Sequence, residues 1–294
     1  MAREPFAEQV IGTIAGAARM AAAGGGDVVR LTSPPEDWLD AWDPHYIRTT
    51  LPALRAMSRI YFRGEVRGLD NIPAEGPVLL VGNHSGGTLI ADTFVFAQAF
   101  YDHFSPLRRF HQLAHDLVFK LPGARASLSR YGTVRASPEN MERALERDAA
   151  LLVYPGGDHE TYRPSWESAK IDFAGRTGFA RLAIEHGVPM VPVVAIGGQE
   201  TALFLGQGRK ISKLLRLDSL FRLKVFPAQV APPFGLTVLD MPGRIPLPSK
   251  IVVRVLPPVE LKGRDPDDAY ERVTGAMQRA LYRLDDERSI PVVG

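Results

Sequence analysis

Cysteine is absent from this 294-residue chain. That excludes disulfides, thiolate metal sites and a cysteine nucleophile. Also missing is any uninterrupted apolar run of the roughly 18 residues that a membrane-spanning helix needs. Charge of one sign is not in excess, since 35 Lys and Arg face 33 Asp and Glu for a net +2. A global basic field for nucleic acid is therefore not expected. Neither G-x-G-x-x-G nor G-x-x-x-x-G-K-[ST] occurs, so dinucleotide and P-loop readings have no support. The N-terminus has no strongly basic start, compact apolar stretch or cleavage site of the secretory kind. The chain is expected to be cytoplasmic and peripheral to a membrane.

What is present is an ordinary globular composition, 45% hydrophobic and 23% charged. A chain of this length builds a core without staples. Residues 6–23 read as a helix ended by Gly24-Gly25-Gly26, within an N-terminal helical extension over 1–45. Residues 46–294 read as a single α/β domain. A helix is expected around Thr50–Ile60, and the alternating YFRGEVRG that follows reads as a strand. PVLLVGNH (77–84), AALLVYPGG (149–157) and VPMVPVVAIGG (188–198) are continuous apolar runs that stop at glycine-containing turns. Runs apolar on both faces suit central parallel strands. Between them, TLIADTFVFAQAF (88–100), SPENMERALERD and GFARLAIEHG read as helices, the second capped by Ser137 with Pro138 in its first turn. GTVRA and residues 251–261 read as further strands, and the chain closes on an amphipathic helix. The fold class is α/β, a mostly parallel central sheet flanked by helices. Ligands of open α/β sheets collect at the carboxyl ends of the strands. That rim holds Asn83-His84, Pro155-Gly156-Gly157 and Gly197-Gly198.

The strongest local signal is G-N-H-S-G-G-T-L-I-A-D (82–92). A histidine just past a buried strand and flanked by glycines is poorly explained by packing. Glycines permit close backbone approach and leave amides for an anionic oxygen. A neutral imidazole is the usual general base near neutrality, which makes His84 the candidate base. Asp92 is the nearest downstream carboxylate to hold it. Asn83, Ser85, Gly86 and Gly87 are its candidate substrate-contacting neighbours. A serine hydrolase reading fails on spacing, because G-x-S-x-G needs glycine two residues before the serine and Gly82 stands three before Ser85. The second signal is V-Y-P-G-G-D-H-E-T-Y-R-P (153–164). There Pro155, Gly156 and Gly157 form a turn able to cradle an oxyanion or phosphate, and Glu160 and Arg163 are candidate headgroup ligands. His111 and His115 in HQLAH have a zinc-compatible spacing, but no zincin glutamate or third ligand accompanies them. They read as ordinary helix histidines, and no metal site is expected.

Four motifs in this order resemble the glycerolipid acyltransferase superfamily, which includes lysophosphatidic acid acyltransferases and the diacylglycerol acyltransferase type 2-like branch. Asn83, His84 and Asp92 match the first block. Gly132-Thr133-Val134-Arg135 matches the second, so Arg135 is a substrate-binding candidate. Val153-Tyr154-Pro155-Gly156-Gly157 with Glu160 matches the third, and Val188-Pro189-Met190-Val191-Pro192-Val193 matches the fourth. The resemblance covers about residues 60–260. It implies transfer of a fatty acyl group to a lipid hydroxyl, an acyl-CoA or acyl-carrier-protein donor, and no cofactor or metal. Residues 85–91 separate His84 from Asp92, seven positions where the family commonly has four. Pro-Gly-Gly stands where many lysophosphatidate enzymes have Pro-Glu-Gly-Thr-Arg, so the acceptor stays open. An esterase or thioesterase acting through water, and a non-catalytic acyl-binding protein, are the competing classes. Finally, 203–226 carries Arg209, Lys210, Lys213, Arg216, Arg222 and Lys224 among leucines, with Asp218 as its one acidic residue. This is the candidate peripheral membrane contact.

Overall fold

The structure, a computed structural model, describes residues 38–120, 124–208, 227–238, 240 and 244–293. The helix expected over 6–23 and the basic stretch 209–226 lie outside the described residues.

Ten strands are described: β1 (Glu65–Arg67), β2 (Val78–Gly82), β3 (Phe110–Ala114), β4 (Thr133–Arg135), β5 (Ala150–Val153), β6 (Met190–Ile196), β7 (Leu203–Gly206), β8 (Ala228–Ala231), β9 (Gly235–Val238) and β10 (Val252–Val255). Seven form the main sheet in the order β1-β10-β6-β2-β5-β3-β4. Every pairing in it is parallel except β10 with β6. The largely parallel sheet expected from the apolar runs is what forms.

The central strands are hydrophobic throughout because both faces are covered. Leu80 lies in register between Leu152 of β5 and Val191 of β6. Alternate residues serve opposite layers, as the two-residue strand period requires. Leu79 and Val81 join Phe179, Ala183, Val273, Met277 and Leu281, from helices α6 (Gly178–Glu185) and α7 (Pro266–Asp286). Val78 and Leu80 join Ile47, Leu51, Phe96 and Phe100, from α1 (Pro44–Ala56) and α2 (Ala91–Phe104). Three further helices are found among the described residues: α3 (Ala124–Arg130), α4 (Pro138–Glu146) and α5 (Asp158–Thr161).

Helix starts follow local chemistry. Ser137 caps α4 by accepting from the Asn140 amide, with Pro138 just inside. Asp43 and Asp265 cap α1 and α7 in the same way. Three expectations need correction. HQLAH is strand β3, not helix, and fully buried His111 bonds the Gly132 carbonyl across the pair to β4. The long strand expected from Tyr61 is only β1, because a π-helical turn extends α1 through Tyr61. The helix after His84 begins at Ala91, leaving 83–90 as a loop. A second sheet, β7-β8-β9, is antiparallel throughout; the sequence reading did not anticipate it.

Candidate active site

His84 stands two residues beyond β2, on the carboxyl rim of the parallel strands. Asn83 fixes the exit of the strand. Its Oδ1 accepts from the Ala195 amide at 2.8 Å and its Nδ2 donates to the Ala195 carbonyl at 2.9 Å. Asn83 is therefore a buried extension of the β2–β6 pairing, with both ends of its amide bonded to Ala195.

The main chain of His84 is held from both sides. Its amide donates to Glu160 Oε2 at 2.8 Å, and its carbonyl accepts from Arg163 Nη1 at 2.9 Å. Glu160 also accepts from the Asp172 amide at 3.1 Å, and Arg163 also donates to the carbonyls of Glu160 and Ser168. Their charges lie 3.7 Å apart. Glu160 is 1% exposed and Arg163 4%, so neither reaches outward to a headgroup as the sequence reading expected. The reason is the close approach of their turn to β2. Any side chain at Gly156 would collide with the Glu160 carboxylate, so glycine there lets the acid fold back beneath His84.

The electrostatics follow from burial. Desolvation, helped by the positive charge of Arg163, lowers the His84 pKa to about 4, so the imidazole is neutral at pH 7. Its Nδ1 is buried without a hydrogen-bond partner, and its ring lies 5.0 Å from that of Tyr154. Burial raises Glu160 to about 7, against the opposing pull of Arg163. Burial also raises Asp92 to about 6, against its hydrogen bond from Ser85.

The expected His84–Asp92 contact is replaced by another. Asp92 Oδ2 accepts from Ser85 Oγ at 2.6 Å, and Oδ1 accepts from the Thr93 amide at 2.8 Å. The longer loop places Asp92 behind Ser85 at the first turn of α2. Gly198 closes over this pair, since a Cβ there would strike Ser85 Oγ. The carboxylate whose field acts on His84 belongs to Asp158. A histidine–carboxylate contact on the same turn joins His159 Nε2 to Asp172 Oδ2 at 2.9 Å.

Three of the four glycine amides expected to face an oxyanion, those of Gly86, Gly87 and Gly157, already have acceptors. Gly86 N donates to Gln199 Oε1 at 3.0 Å, Gly87 N to the Thr161 carbonyl at 3.3 Å, and Gly157 N to the Tyr154 carbonyl at 3.1 Å. Arg176 donates to the carbonyls of Pro155 and Gly156, each at 2.9 Å. Arg135 sits at the end of edge strand β4, three strands from β2, and pairs with Asp116 at 2.7 Å.

Several residues that were not among the candidate site residues complete the site. Tyr154, at the end of β5, donates to or accepts from Thr93 Oγ1 through its hydroxyl. Gln199 bridges Gly86 N and the Arg163 carbonyl. The Asp240–Arg244 pair, 2.7 Å apart and buried, accepts the Thr88 amide and donates to the Gly86 carbonyl. Gln199 directly follows a glycine turn already assigned to the rim, which was a usable signal. Asp240 and Arg244 lie in a stretch without periodicity and carried none.

Residues 63–196 match the family model described as "Acyltransferase". A 1-acyl-sn-glycerophosphate (LPA) acyltransferase, PlsC, from Thermotoga maritima has the same fold, with a TM-score of 0.51 over 90% of each chain at 17% identity. Among curated relatives, an uncharacterized Mycobacterium tuberculosis protein is 29% identical over 253 residues, 83% of this chain and 68% of that one. The Bos taurus "DGAT1/2-independent enzyme synthesizing storage lipids" is 30% identical over 225 residues, 74% of this chain and 63% of that one. The Arabidopsis thaliana chloroplastic phytyl ester synthase 2 is 32% identical over 140 residues, 45% of this chain and 19% of that one.

Proposed function

We propose that this chain transfers a fatty acyl group from an acyl thioester, acyl-CoA or acyl carrier protein, to the hydroxyl of an uncharged lipid alcohol, with His84 as general base. The observation that carries this reading is the His84 imidazole: neutral at pH 7, on the carboxyl rim, its main chain gripped by Glu160 and Arg163. At pH 7 the imidazole is in the unprotonated form that a general base requires.

In this reading His84 takes the proton of the acceptor hydroxyl as its oxygen attacks the thioester carbonyl. The carbonyl π electrons move onto oxygen. They return as the C–S bond breaks, and the imidazolium gives its proton to the departing thiolate. Products are the lipid ester and a free thiol, with no net change in protons. Asp92 acts one step removed, through Ser85, and Glu160 and Arg163 are positioning residues.

An uncharged acceptor is favoured because Arg163, the guanidinium nearest His84 in the motif, is already bound to three main-chain carbonyls. A phosphate there would have to break those bonds. The names of the storage-lipid and phytyl-ester relatives lend support to the same side.

The test is mass spectrometry of products from labelled acyl-CoA offered with diacylglycerol, a long-chain alcohol or lysophosphatidate. Labelled ester on an uncharged acceptor, lost in His84→Ala, is expected. Label appearing only as free acid would identify a hydrolase, and ester formation restricted to lysophosphatidate would overturn the acceptor.

A further inference from the structure

The antiparallel sheet beside the site has an unusual outer face. Leu203, Val230 and Leu236 are cross-strand partners in one row, and Ala228 pairs with Val238 in the next. Strand alternation puts Leu203 and Leu205, Val230, and Leu236 and Val238 on one side. All five are exposed, Leu236 by 67% and Val238 by 57%, and Phe234 in the β8–β9 turn extends the patch. The other side is closed: Phe204, Gln229 and Ala231 are buried. A soluble sheet that packs one face normally shows polar residues on the other. A continuous apolar face on solvent marks a contact surface.

We propose that this face docks the protein onto an anionic lipid bilayer, an inference that rests on the lipid-acceptor reading above. Two observations select a bilayer. The closed side of the sheet is bonded to the catalytic loop. Arg244 packs over the Phe204 ring at 5.9 Å and donates to the Gly86 carbonyl, while Asp240 holds both Gln229 Nε2 and the Thr88 amide. A surface bound to this sheet therefore lies one layer from the loop that carries His84, where a lipid acceptor must arrive. Charge supplies the second observation. β7 and β8 bracket residues 209–226, whose sequence has six basic residues and one acidic. That composition complements anionic headgroups, and a basic sequence combined with an apolar surface is what interfacial binding uses.

Vesicle flotation with the full chain tests this, using phosphatidylcholine vesicles with and without phosphatidylglycerol. Wild type and His84→Ala should both float with the anionic vesicles and far less with the neutral ones. Leu236→Glu/Val238→Glu, at exposed edge positions, should lose flotation by about ten-fold or more. Leu236→Gln/Val238→Gln serves as a milder replacement should the glutamates impair folding, checked by circular dichroism. The same variants should keep wild-type turnover on a short-chain acceptor dispersed as monomers, and lose turnover on acceptor presented in vesicles. Wild-type flotation by both double variants overturns the proposal. So does a wild-type dimer in light scattering that the substitutions dissociate while flotation persists, since the face would then serve a second copy. Failure of the acyl-transfer reading is separate: it shows as no ester on the monomeric acceptor, whatever the flotation result.

Discussion

At the scale of single residues, His84 is held in its neutral form by burial and by Arg163. Its replacement by alanine should lower acyl transfer roughly a hundred- to ten-thousand-fold, the range of a positioned general base. The sign of its pH effect on stability follows from its folded pKa of about 4 against 6.5 when unfolded. The unfolded chain takes up the proton first, so stability falls as pH drops from about 6.5 toward 4. Denaturant unfolding across that window should show a shallower slope in His84→Ala. Asp92 and Ser85 make a different prediction. Each substitution, Ser85→Ala or Asp92→Ala, removes the same buried hydrogen bond. A bond to a charged group is worth about 1.5–3 kcal/mol. The double variant should therefore be less destabilised than the sum of the singles, a coupling read from a double-mutant cycle. Simple additivity would mean that the pair does not act as one unit.

Among elements, the turn after β5 and the loop after β2 act together, because Glu160 and Arg163 reach from one to the main chain of the other. Above pH 7 an ionised Glu160 accepts from both His84 N and Asp172 N. As pH falls through about 7 it gains a proton, and a new O–H donor then faces one of those amides. Turnover should fall on the acid side with a midpoint near 7, and Glu160→Gln should flatten that limb at a lower plateau. The same raised pKa means that the folded state holds this proton more tightly than the unfolded chain. Glu160 therefore costs stability progressively as pH rises from about 4.5 to about 7. For Arg163→Lys, a positioning role predicts lower kcat with the acceptor KM nearly unchanged, whereas a headgroup ligand would chiefly raise KM. The elements themselves were legible where one rule dominated: β2, β5 and β6 are apolar on both faces, and Ser137-Pro138 announces α4. HQLAH misled because a five-residue strand and a helical turn share the same histidine spacing, and only the pairing of β3 with β4 and β5 decides between them. The position of His84 was readable from a strand end. The positions of Glu160 and Arg163 were not, because an acid and a base three residues apart look the same whether they face solvent or fold under a neighbouring loop.

For the whole molecule, the rim is braced by the far end of the chain. Glu200, in the turn after β6, takes Arg288 and the Val292 amide, and Arg288 is shared with Asp285 at the end of α7. Arg288 and Glu200 are 6% and 7% exposed at their side chains. Gln199, next to Glu200, is the residue that holds Gly86 and Arg163. The residues that follow α7 thus support the loop that carries His84 through two consecutive residues. Removing one partner of a buried pair strands the other charge, at a cost of about 3–5 kcal/mol. Arg288→Met should therefore lower stability by about that amount in chemical denaturation, and reduce turnover even at temperatures where the fold persists. Arg288→Met/Glu200→Leu removes both charges and should recover most of the lost stability. Turnover should recover less, because in the double variant the Val292 amide and the turn that presents Gln199 lose the Glu200 carboxylate. Parallel recovery of stability and turnover would show that the brace supports the fold without setting the geometry at His84.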